Sequence, residues 1–238
     1  MTDPAKLNPL FVIPARGGSK GIPHKNIKPL HGRPLIAYSI DTARSLARDL
    51  HHVVLSTDDP TIADVARTQC GLPVDYMRPQ ALATDTSGTR EVIIDAMDWA
   101  ESQGITFDCV VLLQPTSPLR TTDDVLNAMT LYDPDRCDMV VTVCEAASNP
   151  YYNCFETDPD TGYLHISKGD GLLTRRQDAP EAWEYTGSVY VINPEAIRRS
   201  PFGQMKRRVP CPTSRERAID LDTPRDWAVA EVIMNELA

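Results

Sequence analysis

The sequence has no apolar run approaching the ~20 residues that a membrane-spanning helix needs. Its opening, "MTDPAKLNPL", has neither the charged start nor the apolar middle of a secretion signal. Both absences lead us to expect a cytoplasmic protein with no membrane partner. None of the six cysteines forms a C-x-x-C pair. That argues against a zinc or disulfide framework and for buried reduced thiols, with Cys109 and Cys144 inside apolar runs. Internal repeats and low-complexity tracts are missing. An excess of positive charge is missing too, since 24 Lys and Arg face 33 Asp and Glu for a formal net charge of -9. A general nucleic-acid binder usually carries a basic face, so no nucleic-acid partner is expected.

What is present suits one domain spanning residues 1–238, with 42% hydrophobic residues for its core. "LFVIPA" and "CVVLLQP" are short and nearly all apolar, as strands buried on both faces are. "HVVLSTDD" and "MVVTVCE" read as further strands, and "VDYMRP" as another. Ile36, Ile40, Ala43, Ala47 and Leu50 fall at helical spacing, as do Ile93, Met97 and Ala100. "PTIADVARTQ" reads as a short helix with Pro60 near its start, and "TTDDVLNAMTLY" as a helix with acids in its first turn. This alternation predicts an α/β fold: a Rossmann-like, mainly parallel sheet with helices on both faces. The pattern stops near residue 146. Residues 145–185 lack helical periodicity and carry a hairpin around "DPDTG", which predicts an inserted segment that covers a site or grips a partner. "GSVYVINPEAI" resumes a strand and turn, and the chain ends in a helix with Thr223 as cap and Pro224 at its first position.

Against its acidic background the chain gathers positive charge in "IPARGGSKGIPHKN", residues 13–26, directly after the first strand. Gly17, Gly18 and Gly21 let backbone N–H groups approach a phosphate chain, and Arg16, Lys20 and Lys25 supply charge-assisted bonds. Ligands of such sheets bind beyond the carboxyl ends of the strands, which is where this loop leaves. The loop is neither a Walker A motif nor G-x-G-x-x-G, which disfavours a P-loop phosphotransferase and a dinucleotide enzyme. As exposed loop cations, Arg16 and Lys25 are expected to act on phosphate charge and to affect stability little.

Other stretches add weaker signals. Arg78 stands in "MRPQALATDTSGT", where Thr86 or Ser87 is expected to cap a helix. Gln114, in "LLQPTSPLR", can read a base edge or simply satisfy loop backbone. "TRRQDAP" pairs Arg175 with Arg176, a pattern most often solvated. Asp220 and Asp222 are two apart, so in an extended segment they share a face and could hold Mg²⁺ beside phosphates, although a lone D-x-D is more often surface acid.

Taken in order, "IPARGGSKGIPHKN", "STDD", "RPQALATDTSGT", "LLQPTSPLR", "RRQDAP", "TGSVYVIN" and "IDLDTPRDW" resemble the CMP-sialic acid synthetases, or N-acylneuraminate cytidylyltransferases. The match runs from residue 13 to residue 227. Enzymes that activate the eight-carbon sugar Kdo usually read R-L-P-x-K in the first loop, which this chain does not. The resemblance implies a nucleotidyltransferase-type fold, a homodimer, Mg²⁺, and transfer of CMP from CTP to an acidic nine-carbon α-keto sugar. It matches Arg16, Ser19, Lys20, Lys25, Asn26, Arg78, Thr89 and Gln114 to nucleotide contacts, and Asp220 and Asp222 to metal-binding acids. By the same resemblance Gln114, Arg175, Arg176, Gln177, Glu184, Thr186 and Tyr190 fall near the acceptor sugar, and residues 145–185 correspond to the dimerisation segment. Two positions depart from the family: some members have arginine at Glu184, and most have Asn-Gly at Thr186-Gly187. The alternatives are a cytidylyltransferase for another acidic acceptor such as Kdo, or a nucleotide-binding protein without catalysis.

Overall fold

The computed structural model describes residues 2–84 and 86–237. In chain order the elements are β1 (Pro9–Pro14), β2 (Pro29–Leu30), β3 (Arg33–Pro34), α1 (Leu35–Leu46), β4 (Val53–Ser56), α2 (Pro60–Thr68), α3 (Thr89–Ser102) and β5 (Cys109–Leu113). They continue with α4 (Thr122–Leu131), β6 (Met139–Glu145), β7 (Phe155–Thr157), β8 (Leu164–Ile166), β9 (Trp183–Ile192), α5 (Pro194–Arg199), β10 (Arg208–Pro212) and α6 (Pro224–Leu237). A six-stranded sheet runs in the order β10-β6-β9-β5-β1-β4. Five of its six strands sit in the two parallel blocks β5-β1-β4 and β10-β6 and share one polarity; β9 alone is antiparallel, to β5 and β6.

Alternation along each strand builds two cores. Phe11 and Ile13 face the side covered by α1, α2 and α4, while Leu10 and Val12 face α3 and α5. A third cluster lies under α6, where Trp227 and Ala230 pack on Ile22, Leu30, Leu35 and Leu221. It ties the carboxyl-terminal helix to the basic loop and to the segment bearing the acid pair. Five of the six cysteines are buried and all are free thiols, as expected.

Several expectations need correction. α1 ends at Leu46, and Ala47 and Leu50 lie beyond it, Leu50 opening a short 3-10 turn. "VDYMRP" is not a strand. Residues 71–79 belong to no helix or strand: burial alternates from Leu72 through Val74 and Tyr76 to Arg78, but no ladder forms. The cap of α3 is Gly88, with no side-chain bond, and Ser87 bonds Thr84 instead. β10 is an additional edge strand, within "RRVPCPT". The insertion leaves the sheet after Glu145 and returns at Trp183, so residues 183–185 already belong to β9. Because β6 ends at the loop side of the sheet and the insertion stays there, the return strand must run antiparallel. No helix among the described residues is long and apolar enough to cross a membrane.

Candidate active site

A cleft of about 370 Å³ opens at the carboxyl ends of β1 and β5. Its wall contains Arg16, Ser19, Lys20, Lys25, Asn26, Arg78, Thr89 and Gln114, together with Thr84, Ser87, Thr116 and Asp222. Every residue that the sequence assigned to the nucleotide thus lines one space.

The basic loop is held in place from several directions. Gly17 N–H donates to the Asp58 carboxylate at 3.1 Å, which gives the acids of "STDD" a positioning role that sequence reasoning missed. The buried Asn26 donates from Nδ2 to Arg16 O at 2.9 Å, closing the loop on itself. Gly21 is required by contact: a Cβ there would lie 2.2 Å from Asp222 O. Lys25 Nζ donates to Leu221 O at 2.7 Å and to Asp222 Oδ1 at 3.1 Å. Arg16 Nη1 donates to Thr84 O at 3.1 Å across the cleft mouth. The loop and the acid segment, about two hundred residues apart in sequence, therefore form one wall.

Arg78 is buried. Its Nε and Nη2 donate to Ser56 Oγ (3.0 Å) and Ser56 O (2.6 Å), and its backbone N–H to Thr57 O (2.8 Å). Burial lowers its pKa, although no neutral arginine follows from so high a starting value. Gln114 directly follows β5, and its carbonyl accepts from Arg120 and from Ser39 Oγ, which leaves its side chain on the cleft wall.

The acid segment is anchored behind by Arg217, whose Nε and Nη2 grip the buried Asp124 at 3.2 and 3.0 Å. Leu221 is fully buried, so Asp220 and Asp222 point the other way, as an extended i, i+2 pair must. Asp222 lines the cleft. Asp220 is exposed and lies beside Gly187; partial loss of solvent at its carboxylate and the like charge of Asp222 raise its pKa, against a hydrogen bond from Thr116 that lowers it. Among the described residues no group of three or more His, Cys, Asp or Glu is placed to hold a metal. A cation here would need phosphate oxygens or water as its remaining ligands.

The residues assigned to the acceptor do not share the cleft, apart from Gln114. Arg176 and Gln177 line a separate cavity of about 270 Å³ with Glu145, Asn149 and Trp183. Arg176 also donates to Ala146 O, Ala147 O and Glu145 Oε1, pinning the inserted segment. Arg175 is exposed and paired with Asp178. Glu184 meets Ala147 N–H, Cys144 Sγ and Arg215, a partner that its sequence neighbourhood gave no means of finding. Thr186 is buried in a bulge of β9, where the one residue Thr142 stands opposite residues 186–189. Its hydroxyl bonds Thr142 Oγ1 at 2.7 Å, so it is a sheet contact and does not reach toward a ligand as its sequence position suggested. Tyr190 is half-buried and stacks on Phe202, and burial, with Tyr185 and Asp220 nearby, pushes its pKa up to about 12. It stays a hydroxyl donor at neutral pH.

The cleft brings together cations, hydroxyls, two side-chain amides and one carboxylate, groups able to meet the phosphates and base of a nucleotide. Known proteins agree. The chain is 34% identical to CMP-N,N'-diacetyllegionaminic acid synthase of Legionella pneumophila, over 94% of this chain and 95% of that protein. It is 31% identical to N-acylneuraminate cytidylyltransferase of Streptococcus agalactiae, over 93% of this chain and 52% of that protein. Among solved structures, CMP:2-keto-3-deoxy-manno-octonic acid synthetase complexed with CTP shares the fold at TM-score 0.68 and 16% identity, over 97% of this chain and 99% of that one. The family model described as Cytidylyltransferase matches residues 10–200, so the chain belongs to the cytidylyltransferase family.

Proposed function

We propose that the protein binds CTP in this cleft and transfers CMP to the anomeric hydroxyl of an acidic nine-carbon α-keto sugar, releasing pyrophosphate. The carrying observation is that the basic loop, Arg78, Gln114 and Asp222 line one cleft in a chain of this family. In the reaction the anomeric oxygen bonds to the α-phosphorus, the bond to the pyrophosphate oxygen breaks, and the hydroxyl proton passes to solvent. Such transfer requires alignment and neutralisation of charge on phosphate oxygens. Arg16, Lys20 and Lys25 meet that charge, and the N–H groups of the loop add to it. Gln114 has an amide on the cleft wall that can hydrogen-bond a pyrimidine edge, and a site built for such bonds rejects a base that leaves them unpaired.

Asp220 and Asp222 fit Mg²⁺ by donor chemistry, being hard carboxylate oxygens on one side of an extended segment whose like charges repel. Bound there, Mg²⁺ would offset phosphate charge and lower the hydroxyl pKa. The names of the relatives support a nonulosonic acid as acceptor. Arg176 would meet its carboxylate with a planar fork only by exchanging its contacts with Ala146 O, Ala147 O and Glu145. A cytoplasmic site of action follows from the same reading, as CTP and reduced thiols are found there.

The test is pyrophosphate release from CTP, UTP, ATP and GTP across a panel of legionaminic, pseudaminic and sialic acids and Kdo. CTP with a nine-carbon acid should turn over fastest. Faster turnover with a purine nucleotide, or with Kdo, would overturn the corresponding half of the reading.

The working unit is proposed to be a homodimer built on the inserted segment. Phe155, Tyr163, Leu164 and Leu172 stand 56–78% exposed on and around the β7-β8 hairpin, an apolar patch unusual for a monomer. Light scattering should give twice the chain mass for the wild type and the single mass for Tyr163→Glu with Leu172→Glu. A monomeric wild type would refute the dimer.

A further inference from the structure

Arg120 is fully buried, and its partners are two carbonyls and one hydroxyl. Nη1 donates to Gln114 O at 3.1 Å and to Ser188 O at 2.9 Å, and Nη2 donates to Ser39 Oγ at 2.6 Å. Its Nε has no partner among the described residues. Burying a guanidinium without a carboxylate to meet it is costly, and an apolar side chain of similar volume would serve packing better. Its fork joins three separate pieces: α1 through Ser39, the end of β5 through Gln114, and the β9 bulge through Ser188. Two of the pieces border the site. Gln114 lines the cleft, and the bulge holds Gly187 beside Asp220. The Ser39 hydroxyl also points at Gln114 O, at 3.4 Å, so that carbonyl is fixed from two directions.

We infer that Arg120 is a positioning residue for the nucleotide: by fixing the carbonyls of Gln114 and Ser188 it sets the Gln114 amide against the base end of the cleft. The inference rests on the cleft being the CTP site. Burial also lowers the Arg120 pKa to about 10, which leaves it charged at neutral pH and able to donate from every N–H. Lysine cannot reproduce the arrangement, because an ammonium has no planar fork with which to reach three acceptors.

The experiment measures KM and kcat for CTP and UTP in the wild type, Arg120→Met, Arg120→Lys and Ser39→Ala, with thermal midpoints alongside. Arg120→Met should raise the CTP KM about tenfold and narrow the CTP-over-UTP preference about tenfold, with kcat changed far less. Arg120→Lys should not restore either. Folded Arg120→Met with a lowered thermal midpoint but wild-type KM and base preference would overturn the inference. If Arg120→Met yields no folded protein, Ser39→Ala decides. It removes the Nη2 acceptor and the weaker hydroxyl bond to Gln114 O, both of which hold the Gln114 carbonyl, so it must raise the CTP KM by about two- to threefold, and an unchanged KM overturns the inference. Absence of CTP turnover in the wild type itself is a separate result, which removes the CTP reading on which the inference stands.

Discussion

Lys25→Ala should lower kcat/KM for CTP by about 10²-fold or more, the scale of losing one charge aimed at a developing anion. Two losses add. The ammonium no longer meets phosphate oxygens, and the tie from the basic loop to the acid segment is cut at Leu221 O and Asp222. Gly21 approaches Asp222 O so closely that the loop and segment move together or part together. The side chain of Lys25 is only 14% exposed, so the sequence-based expectation of a solvated cation irrelevant to stability needs revision. The bond to the Leu221 carbonyl is the larger stabilising term, because Asp222 is 71% exposed and its ion pair is weakened by solvent. A loss of about 1 kcal/mol, or roughly 2–4 °C in Tm, is expected. Steady-state kinetics and thermal melts on one preparation separate the roles. A large fall in Tm with near-normal turnover would make Lys25 a structural residue only.

Local signals carried the order of elements. β1 and β5 are legible because both faces are buried, which makes their sequences uniformly apolar. α4 is legible through Thr121 and Asp124, which form its capping box. β10 escaped notice because "RRVPCPT" holds two prolines and two arginines, which only an edge strand tolerates, and β10 pairs on one side alone. Residues 71–79 misled for the opposite reason. Their burial alternates as a strand's does, yet they lie on the surface of the domain without a ladder, and periodicity reports burial rather than hydrogen bonding.

That Arg16, Lys25, Arg78 and Gln114 share one cleft was legible because each follows an extended segment that leads to the same side of the sheet. What stayed hidden depends on contacts between distant segments. Nothing near Lys25 signals Asp222, and nothing near Glu184 signals Arg215. The burial of Thr186 follows from a bulge that only the β6 partner defines, so a departure from the family pattern at that position is a statement about the sheet rather than about a sugar hydroxyl. Its neighbour Gly187, at φ 72°, keeps the bulge open beside Asp220.

Asp220→Asn and Asp222→Asn should each lower activity about 10²-fold at a fixed low Mg²⁺ concentration, with part of the loss recovered as Mg²⁺ is raised. Asparagine keeps the shape and removes one charge, so the change falls on the affinity for a hard cation rather than on the fold. The two variants should differ in stability. Asp222 accepts from Lys25, and asparagine can still accept there, so its Tm should fall slightly or not at all. Asp220 is exposed overall, but partial loss of solvent at its carboxylate and the like charge of Asp222 disfavour its charge more than the Thr116 hydrogen bond favours it, so removing the charge relieves both. In the absence of Mg²⁺, Asp220→Asn should hold or raise the Tm while losing activity, as residues kept for function against stability do. Calorimetric titration with Mg²⁺ and CTP should give a weaker apparent Mg²⁺ affinity for both variants. Unchanged magnesium dependence and unchanged affinity in both would remove the acid pair from the metal site, and a lowered Tm for Asp220→Asn would show that its carboxylate serves the fold.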